Sequence, residues 1–218
     1  MQSIIHFTDI SINLERLKEE YFSLKDYDWH QHFSKYDSGW KAIPLISFEG
    51  KIDSESNKEP PLELSQLASK FKKTVFLKKC PYMNEIIDSF KCHKLRTRLM
   101  KMEPGTVIPE HSDTQGWFRG IARLHIPIIT HDEVYFFVNG KRAKMNEGEI
   151  WYTDVTKPHS VRNESNVTRV HLVIDLLINR FVRDMFPKES LTDGFENFYL
   201  RRRSSRGAVQ HGPAPERR

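Results

Sequence analysis

At 218 residues, with 38 % apolar and 29 % charged side chains, the chain has the length and mix of one packed domain plus peripheral helices or a tail. No apolar run approaches the ~20 residues of a membrane span. The opening Met-Gln-Ser-Ile-Ile-His-Phe-Thr-Asp lacks the basic and long apolar regions of a secretory signal, so a cytoplasmic location is expected.

The net charge of +5 is local. Arg201, Arg202, Arg203, Arg206, Arg217 and Arg218 fall in the last eighteen residues with Glu216 as the one acid, and without them the remainder is neutral. The basic character belongs to a tail, which argues against nucleic acid as the partner of the body. Cys80 and Cys92 make no Cys-x-x-Cys and no disulfide framework, and are read as reduced thiols. Two glycosylation sequons, at Asn163 and Asn166, are accidental if the chain is not secreted.

After a short apolar entry (Ile4, Ile5, Phe7), Leu14, Leu17, Tyr21 and Leu24 recur at three- and four-residue steps and predict an amphipathic helix over 13–24. Ser38-Gly39-Trp40 reads as a turn before a short strand at Ile43-Pro44-Leu45. Residues 50–61 form a polar loop by composition and are the candidate mobile segment. Helices are predicted near 62–72 and 82–90, the second burying Tyr82, Ile86, Ile87 and Phe90. From Leu95 the texture changes to short alternating segments with turn signals every eight to twelve residues. They fall at 96–102, 107–111, 121–129, 134–138, 141–145 and 149–152, with Asn139-Gly140 as a hairpin signal. A last pair of arms lies within 158–175, and residues 179–187 read as a helix. About eight strands in eighty residues predict a small barrel or jelly roll. The division expected is a mixed, helix-containing segment 1–94 packed on the barrel, a β core at 95–178, a helix and extension at 179–200, and a disordered basic tail at 201–218.

A His-x-Asp tripeptide is common by chance, but His111-Ser-Asp113 follows an apolar strand, and an isolated His159 comes after Gly148-Glu-Ile-Trp-Tyr. Two imidazoles and one carboxylate on a β scaffold are the ligand set of non-haem Fe(II) enzymes, with three positions left open. Structural zinc would recruit four protein ligands, often thiolates. The pattern Arg-x-His then occurs twice, at Arg123-Leu-His125 and Arg169-Val-His171, with the arginine and histidine on one strand face and aliphatic residues on the other. An arginine on an inward face near a metal needs an anion, and a dicarboxylate suits its bidentate fork. The arms within 158–175 read as a β-hairpin. A turn centred on Ser165 would pair 161 with 169 and put His159 and Arg169 on the same face; a half-step shift would separate them. The plainer alternatives are surface or hydrogen-bonded residues, an ion pair of Arg123 with Asp175 or Glu149, and Trp117 and Trp151 as packing.

Taken in order, Pro104-Gly105-Thr106, His111-Ser-Asp113, Arg123-Leu-His125, Gly148-Glu-Ile-Trp-Tyr, Pro158-His159 and the run from Arg169 to Asp175 resemble the aspartyl/asparaginyl β-hydroxylase family of Fe(II)/2-oxoglutarate oxygenases, which shares these motifs with bacterial free-proline hydroxylases. The resemblance covers about 95–178, and more loosely 38–45. It implies a mainly β fold, a double-stranded β-helix (jelly roll, cupin-like) with N-terminal flanking helices. It implies Fe(II), 2-oxoglutarate and O2 as cofactor and cosubstrates. His111, Asp113 and His159 would hold iron; Arg169 would grip the distal carboxylate of 2-oxoglutarate and His125 would lie near its metal end. Arg123 matches an arginine facing the substrate, and Arg98 joins it as a candidate for an acidic substrate group. The chain departs from the animal peptide hydroxylases in carrying Asp113 where they have glycine, and Met100 where they place a cosubstrate-binding hydroxyl.

The activity expected is hydroxylation of a C–H bond of an amino acid, or of an Asp/Asn-like residue in a peptide. The substrate is thus a small molecule or peptide, with no membrane partner. Two other classes are a non-enzymatic cupin-like metal or small-molecule binding module and a nucleic-acid binder acting through the tail. An arginine ten residues after His159 argues against the first, and the neutral body against the second.

Overall fold

The computed structural model describes residues 2–25, 28–31, 39–52, 68–114 and 116–190. The expected mobile loop at 50–61 (apart from 50–52), the first part of the helix expected at 62–72, and the tail 201–218 lie outside the described residues. Residues 2–185 form one compact unit. Residues from 186 onward group separately, and their described part holds a 3-10 turn at Lys188–Ser190.

Eight strands form the β core: β5 (Lys94–Met102), β6 (Val107–His111), β7 (Ile121–Ile129), β8 (Val134–Val138), β9 (Lys141–Arg142), β10 (Ile150–Thr153), β11 (His159–Asn163) and β12 (Arg169–Leu177). They divide between two antiparallel sheets, with β10-β7-β12-β5 adjacent in one and β6-β11-β8-β9 in the other. Most successive strands switch sheets, which is the winding of a double-stranded β-helix. The β8–β9 connection is the two-residue hairpin that Asn139-Gly140 predicts. Both residues have positive φ, 51° and 73°, as a type I′ turn requires.

The larger sheet is extended by N-terminal strands: β1 (Ile4–Phe7) on β10, and β3 (Trp40–Phe48) on β5, with β2 (His30–Gln31) and β4 (Phe71–Lys73) pairing β3. The segment 1–94 therefore supplies sheet as well as helix. The strand at Ile43-Pro44-Leu45 is longer than its composition suggests, and Pro44 is accommodated at a register shift between Pro44 and Ile46. Phe71 and Lys72, expected to close a helix, belong to the strand Phe71–Lys73, whose register on Phe48, Ser47 and Ile46 satisfies its backbone. Helices α1 (Leu14–Ser23), α2 (Val75–Lys78) and α3 (Pro81–Ser89) pack on one another and against β7, β3 and β4. The Asn13 side chain caps α1 by accepting from the Arg16 N–H, and Leu17 is fully buried. In α3 the buried stripe is Met83, Ile86 and Ile87, with Phe90 just past the end. Tyr82, expected in that stripe, is half-buried, its hydroxyl accepting from the Asn13 N–H. A fourth helix, α4 (Arg180–Met185), follows β12.

The strand β12 is buried on both faces. Val170, Leu172, Ile174 and Leu176 point to one side; Arg169, His171, Val173 and Asp175 point into the space between the sheets. The smaller sheet closes that space with Ile108, Val134, Phe136, Val138 and Val161, which cluster with Met102 of the larger one.

The hairpin expected within 158–175 is not formed. Val161 pairs with Ile108 and Phe136 in the small sheet, whereas Arg169 pairs with Met102 in the large one. The polar connection is a corner between sheets. Asn163 organises it, donating from Nδ2 to the carbonyls of Met102 and Val167 and accepting from the Ser165 hydroxyl at 2.6 Å. Asn163 is 1 % exposed, which leaves no room for a glycan at its sequon. His159 and Arg169 still share the interior, but from opposite walls.

Candidate metal centre and anion pocket

His111 ends β6 and His159 begins β11, and the two are register partners with ring centroids 4.2 Å apart. A register shift between His159 and Val161 marks a bulge beside them, a device that re-aims side chains near sites. Each Nδ1 faces a carbonyl two residues back, His111 that of Pro109 at 2.8 Å and His159 that of Lys157 at 3.0 Å. In a neutral imidazole the nitrogen set against a carbonyl oxygen is the one that carries the proton, which leaves the lone pair on Nε2. Asp113 follows β6, its backbone N–H donating to the Val155 carbonyl at 2.8 Å. One donor atom from each of the three lies within 4.8 Å of the others, and His111 Nε2 is 3.8 Å from Asp113 Oδ1. Burial lowers the His159 pKa and so favours the neutral, metal-binding form. Burial would raise the Asp113 carboxyl, but the charge and hydrogen bond of Arg123 hold it below the ordinary range.

Next to this triad runs a chain of charges. Arg123, paired with Asp175 in the β7–β12 register, donates Nε to Asp175 Oδ1 at 2.7 Å and Nη2 to Oδ2 at 3.0 Å. Its Nη1 donates to Asp113 Oδ2 at 2.6 Å. The ion pair with Asp175 weighed from the sequence is thus present, and three of the five Arg123 N–H bonds are engaged inside the protein. Glu149 takes no part: it accepts from Asn146 and from the Trp151 indole. Arg98 is 7 % exposed on β5, its Nε 3.4 Å from the Met100 sulfur. Burial, then Arg123, brings its pKa down to about 9, so it remains a cation at neutral pH. Met100 itself packs with Ala42, Val173 and Trp40, an apolar floor.

Deeper in the barrel, Arg169 is 3 % exposed and has no carboxylate at ion-pair distance among the described residues. Its Nη2 donates to His171 Nδ1 at 2.7 Å, and His125 Nδ1 lies 3.5 Å from that same atom. Arg169 Nε, His171 Nε2 and His125 Nε2 are all buried without a hydrogen-bond partner. Arg169 and His171 line a narrow cleft with Thr130, Val134, Phe136, Ala143 and Met145. Burial lowers the Arg169 pKa to about 9, and burial followed by Arg169 pushes both His125 and His171 well below the usual histidine value. A buried cation without a carboxylate, with polar atoms left unsatisfied beside it, suits an anionic group.

Neither His171 nor Asp175 is singled out by the sequence as a site residue. Their signal is the alternation that places both on the inward face of β12 with Arg169.

Because His125 and His171 are buried in the neutral form, the metal-free protein is expected to lose stability in acid. In the unfolded chain they take up protons below about pH 6.5, which favours unfolding, so their contribution is present above that pH and lost beneath it. The urea midpoint is expected to fall between pH 7.5 and 5.5, with roughly 1 kcal/mol lost per buried histidine. His171→Asn should remove part of that loss; an unchanged pH slope would contradict the buried neutral state.

The family model for aspartyl/asparaginyl β-hydroxylases matches residues 6–178. The chain belongs to this family. Among curated relatives it is similar to the L-proline cis-4-hydroxylase of Rhizobium meliloti (strain 1021), 28 % identical over 198 residues, covering 82 % of this chain and 67 % of that one. It is also similar to an L-proline cis-3-hydroxylase of Streptomyces sp, 27 % identical over 154 residues, covering 67 % and 50 %. The chain thus spans about two thirds and one half of their lengths. Solved structures similar in fold include AviO1 from Streptomyces viridochromogenes Tue57, with TM-score 0.48 and 15 % identity over 82 % of this chain and 90 % of that one. Another is a 2OG-Fe(II) oxygenase family oxidoreductase from Burkholderia pseudomallei, with TM-score 0.47 and 13 % identity over 79 % and 83 %. As a β-hydroxylase family member the protein is an Fe(II)/2-oxoglutarate-dependent hydroxylase, with Fe(II), 2-oxoglutarate and O2 as cofactor and cosubstrates. The two lone pairs and one carboxylate of the triad, and the orphaned polar atoms around Arg169, suit those groups.

Proposed function

We propose that this β-hydroxylase family member inserts oxygen into an unactivated C–H bond of a free amino acid of about the size of proline. The observation that carries the reading is a pair of buried arginines, Arg98 and Arg169, with no carboxylate at ion-pair distance among the described residues. Arg123 is engaged by Asp113 and Asp175, and Arg169 is assigned to 2-oxoglutarate, so Arg98 is left for a carboxylate of the substrate. Curated relatives named for hydroxylation of L-proline support a single amino acid in preference to a peptide.

In this reading His111, Asp113 and His159 hold the metal and leave three coordination positions open. Iron, when bound, supplies O2 activation coupled to decarboxylation of 2-oxoglutarate. Arg169 anchors the distal carboxylate in the cleft, and His125 orients the other end. Phe136, Val138 and Val161 keep the far wall dry, which strengthens both ion pairs. Arg98, beside the N–H bonds that Arg123 has left, fixes the substrate carboxylate and so the carbon presented to the metal.

The test is incubation with Fe(II), 2-oxoglutarate and a panel of free amino acids and matching internal peptides. A one-oxygen mass gain on a free amino acid, stoichiometric with succinate, is expected; turnover of peptides alone would overturn the reading. Arg98→Gln should raise KM for the amino acid tenfold to about a hundredfold, the worth of a charged hydrogen bond at about 1.5–3 kcal/mol. The KM for 2-oxoglutarate should stay within twofold.

A further inference from the structure

Asp113 is the least supported member of the triad. It lies past the end of β6, and its side chain is one-third exposed, whereas His111 and His159 are each held by a strand and by an Nδ1 contact. A carboxylate there can turn, and can offer a metal either one oxygen or both. The structure fixes this freedom from outside: Oδ2 accepts from Arg123 Nη1 at 2.6 Å, while Oδ1 faces His111 Nε2 at 3.8 Å. Arg123 is in turn fixed by Asp175, which is 1 % exposed in the middle of the large sheet and takes both Nε and Nη2. A guanidinium gripped along one edge by a bidentate carboxylate has its plane, and therefore the direction of its remaining Nη1, set by the sheet.

We propose that Asp175 is a positioning residue: acting through Arg123, it holds Asp113 with one oxygen turned to the metal and the other withheld. A rigid strand thereby sets the geometry of a ligand that lies beyond the strand's end. The inference rests on the reading of Asp113 as a metal ligand. It predicts that metal affinity depends on Asp175, and that the dependence runs through Asp113.

The test is a double-mutant cycle on the metal-free full chain, titrated with Co(II) and followed by its visible spectrum. Asp175→Asn keeps the shape but weakens the bidentate grip. It should raise the Co(II) dissociation constant about tenfold, the lower end of what loss of such a supporting contact costs. Asp113→Ala should raise it too, and in that background Asp175→Asn should change it less than twofold, since no carboxylate is left to position. An equal effect of Asp175→Asn in both backgrounds would mean a through-space charge effect and overturn the proposal, as would no effect in either. If Asp113→Ala leaves the wild-type affinity, the ligand reading fails and the proposal with it. Should Asp175→Asn not fold, Arg123→Lys enters the same cycle: an ammonium keeps the charge beside Asp175 but lacks the fork that spans two carboxylates, and the same outcomes decide.

Discussion

Arg169→Met is expected to abolish the rise in melting temperature that 2-oxoglutarate gives the metal-loaded protein, without destabilising the metal-free protein. The reasoning turns on what surrounds the guanidinium. Arg169 sits 3 % exposed among Val134, Phe136, Ala143 and Met145, its polar contact among the described residues being His171, and burial already lowers its pKa to about 9. A cation kept there without an anion weakens the folded state. Methionine fills similar space, carries no charge and suits the apolar wall. The metal-free variant should therefore unfold within about 1 kcal/mol of wild type, or be more stable. With the distal carboxylate of 2-oxoglutarate in the cleft, the same guanidinium becomes half of a desolvated ion pair, and removing it costs about 2–5 kcal/mol. That is a loss of affinity of roughly thirtyfold or more. Isothermal titration of the Mn(II)-loaded variant checks the affinity and urea unfolding checks the stability. Wild-type 2-oxoglutarate binding by Arg169→Met would place the cosubstrate elsewhere.

That arginine was legible in the sequence, and it is instructive which of its neighbours were not. Strands β5 to β12 show themselves through period-two alternation, because one face of each meets the barrel interior. The triad shows itself because imidazoles and a carboxylate are rare enough on such strands to be noticed together. What failed was pairing. The arms on either side of Asn163 look like a hairpin, since local alternation cannot say whether a polar corner folds a strand back or sends it to the other sheet. The decision is made by Asn163 side-chain bonds to Met102, sixty-one residues away. Likewise β3 shows no alternation, being buried on both faces and interrupted by Pro44. Alternation puts His171 and Asp175 on the inward face with Arg169, and the sequence offers Asp175 as an ion-pair partner of Arg123; what alternation does not carry is the cross-strand register that sets Asp175 against Arg123 and His171 near His125.

The Arg123–Asp175 pair should also dominate the cost of any single substitution in the sheet. Arg123→Met leaves Asp175, 1 % exposed, as an unpaired buried carboxylate and strips Asp113 of its partner. Breaking a buried pair from one side costs about 3–5 kcal/mol, a large part of the stability of a domain this size. The loss should show as a lower urea midpoint at unchanged slope. Arg123→Met with Asp175→Leu should recover most of it, because the penalty lies in the uncompensated charge and not in the absence of the bond. Acid offers an independent check. Burial alone would raise the Asp175 pKa, but Arg123, with its charge and its hydrogen bonds, outweighs burial and lowers it. The pair's stabilisation is therefore complete above the ordinary carboxylate value of about 4 and is lost as pH falls below it. In Arg123→Met, Asp175 loses that partner and its pKa should rise, so protonation relieves the unpaired charge and the variant's deficit should shrink on going from pH 7 to pH 4. A deficit that stays constant over that range would mean that the pair contributes through packing alone, and that the sheet does not need its charges.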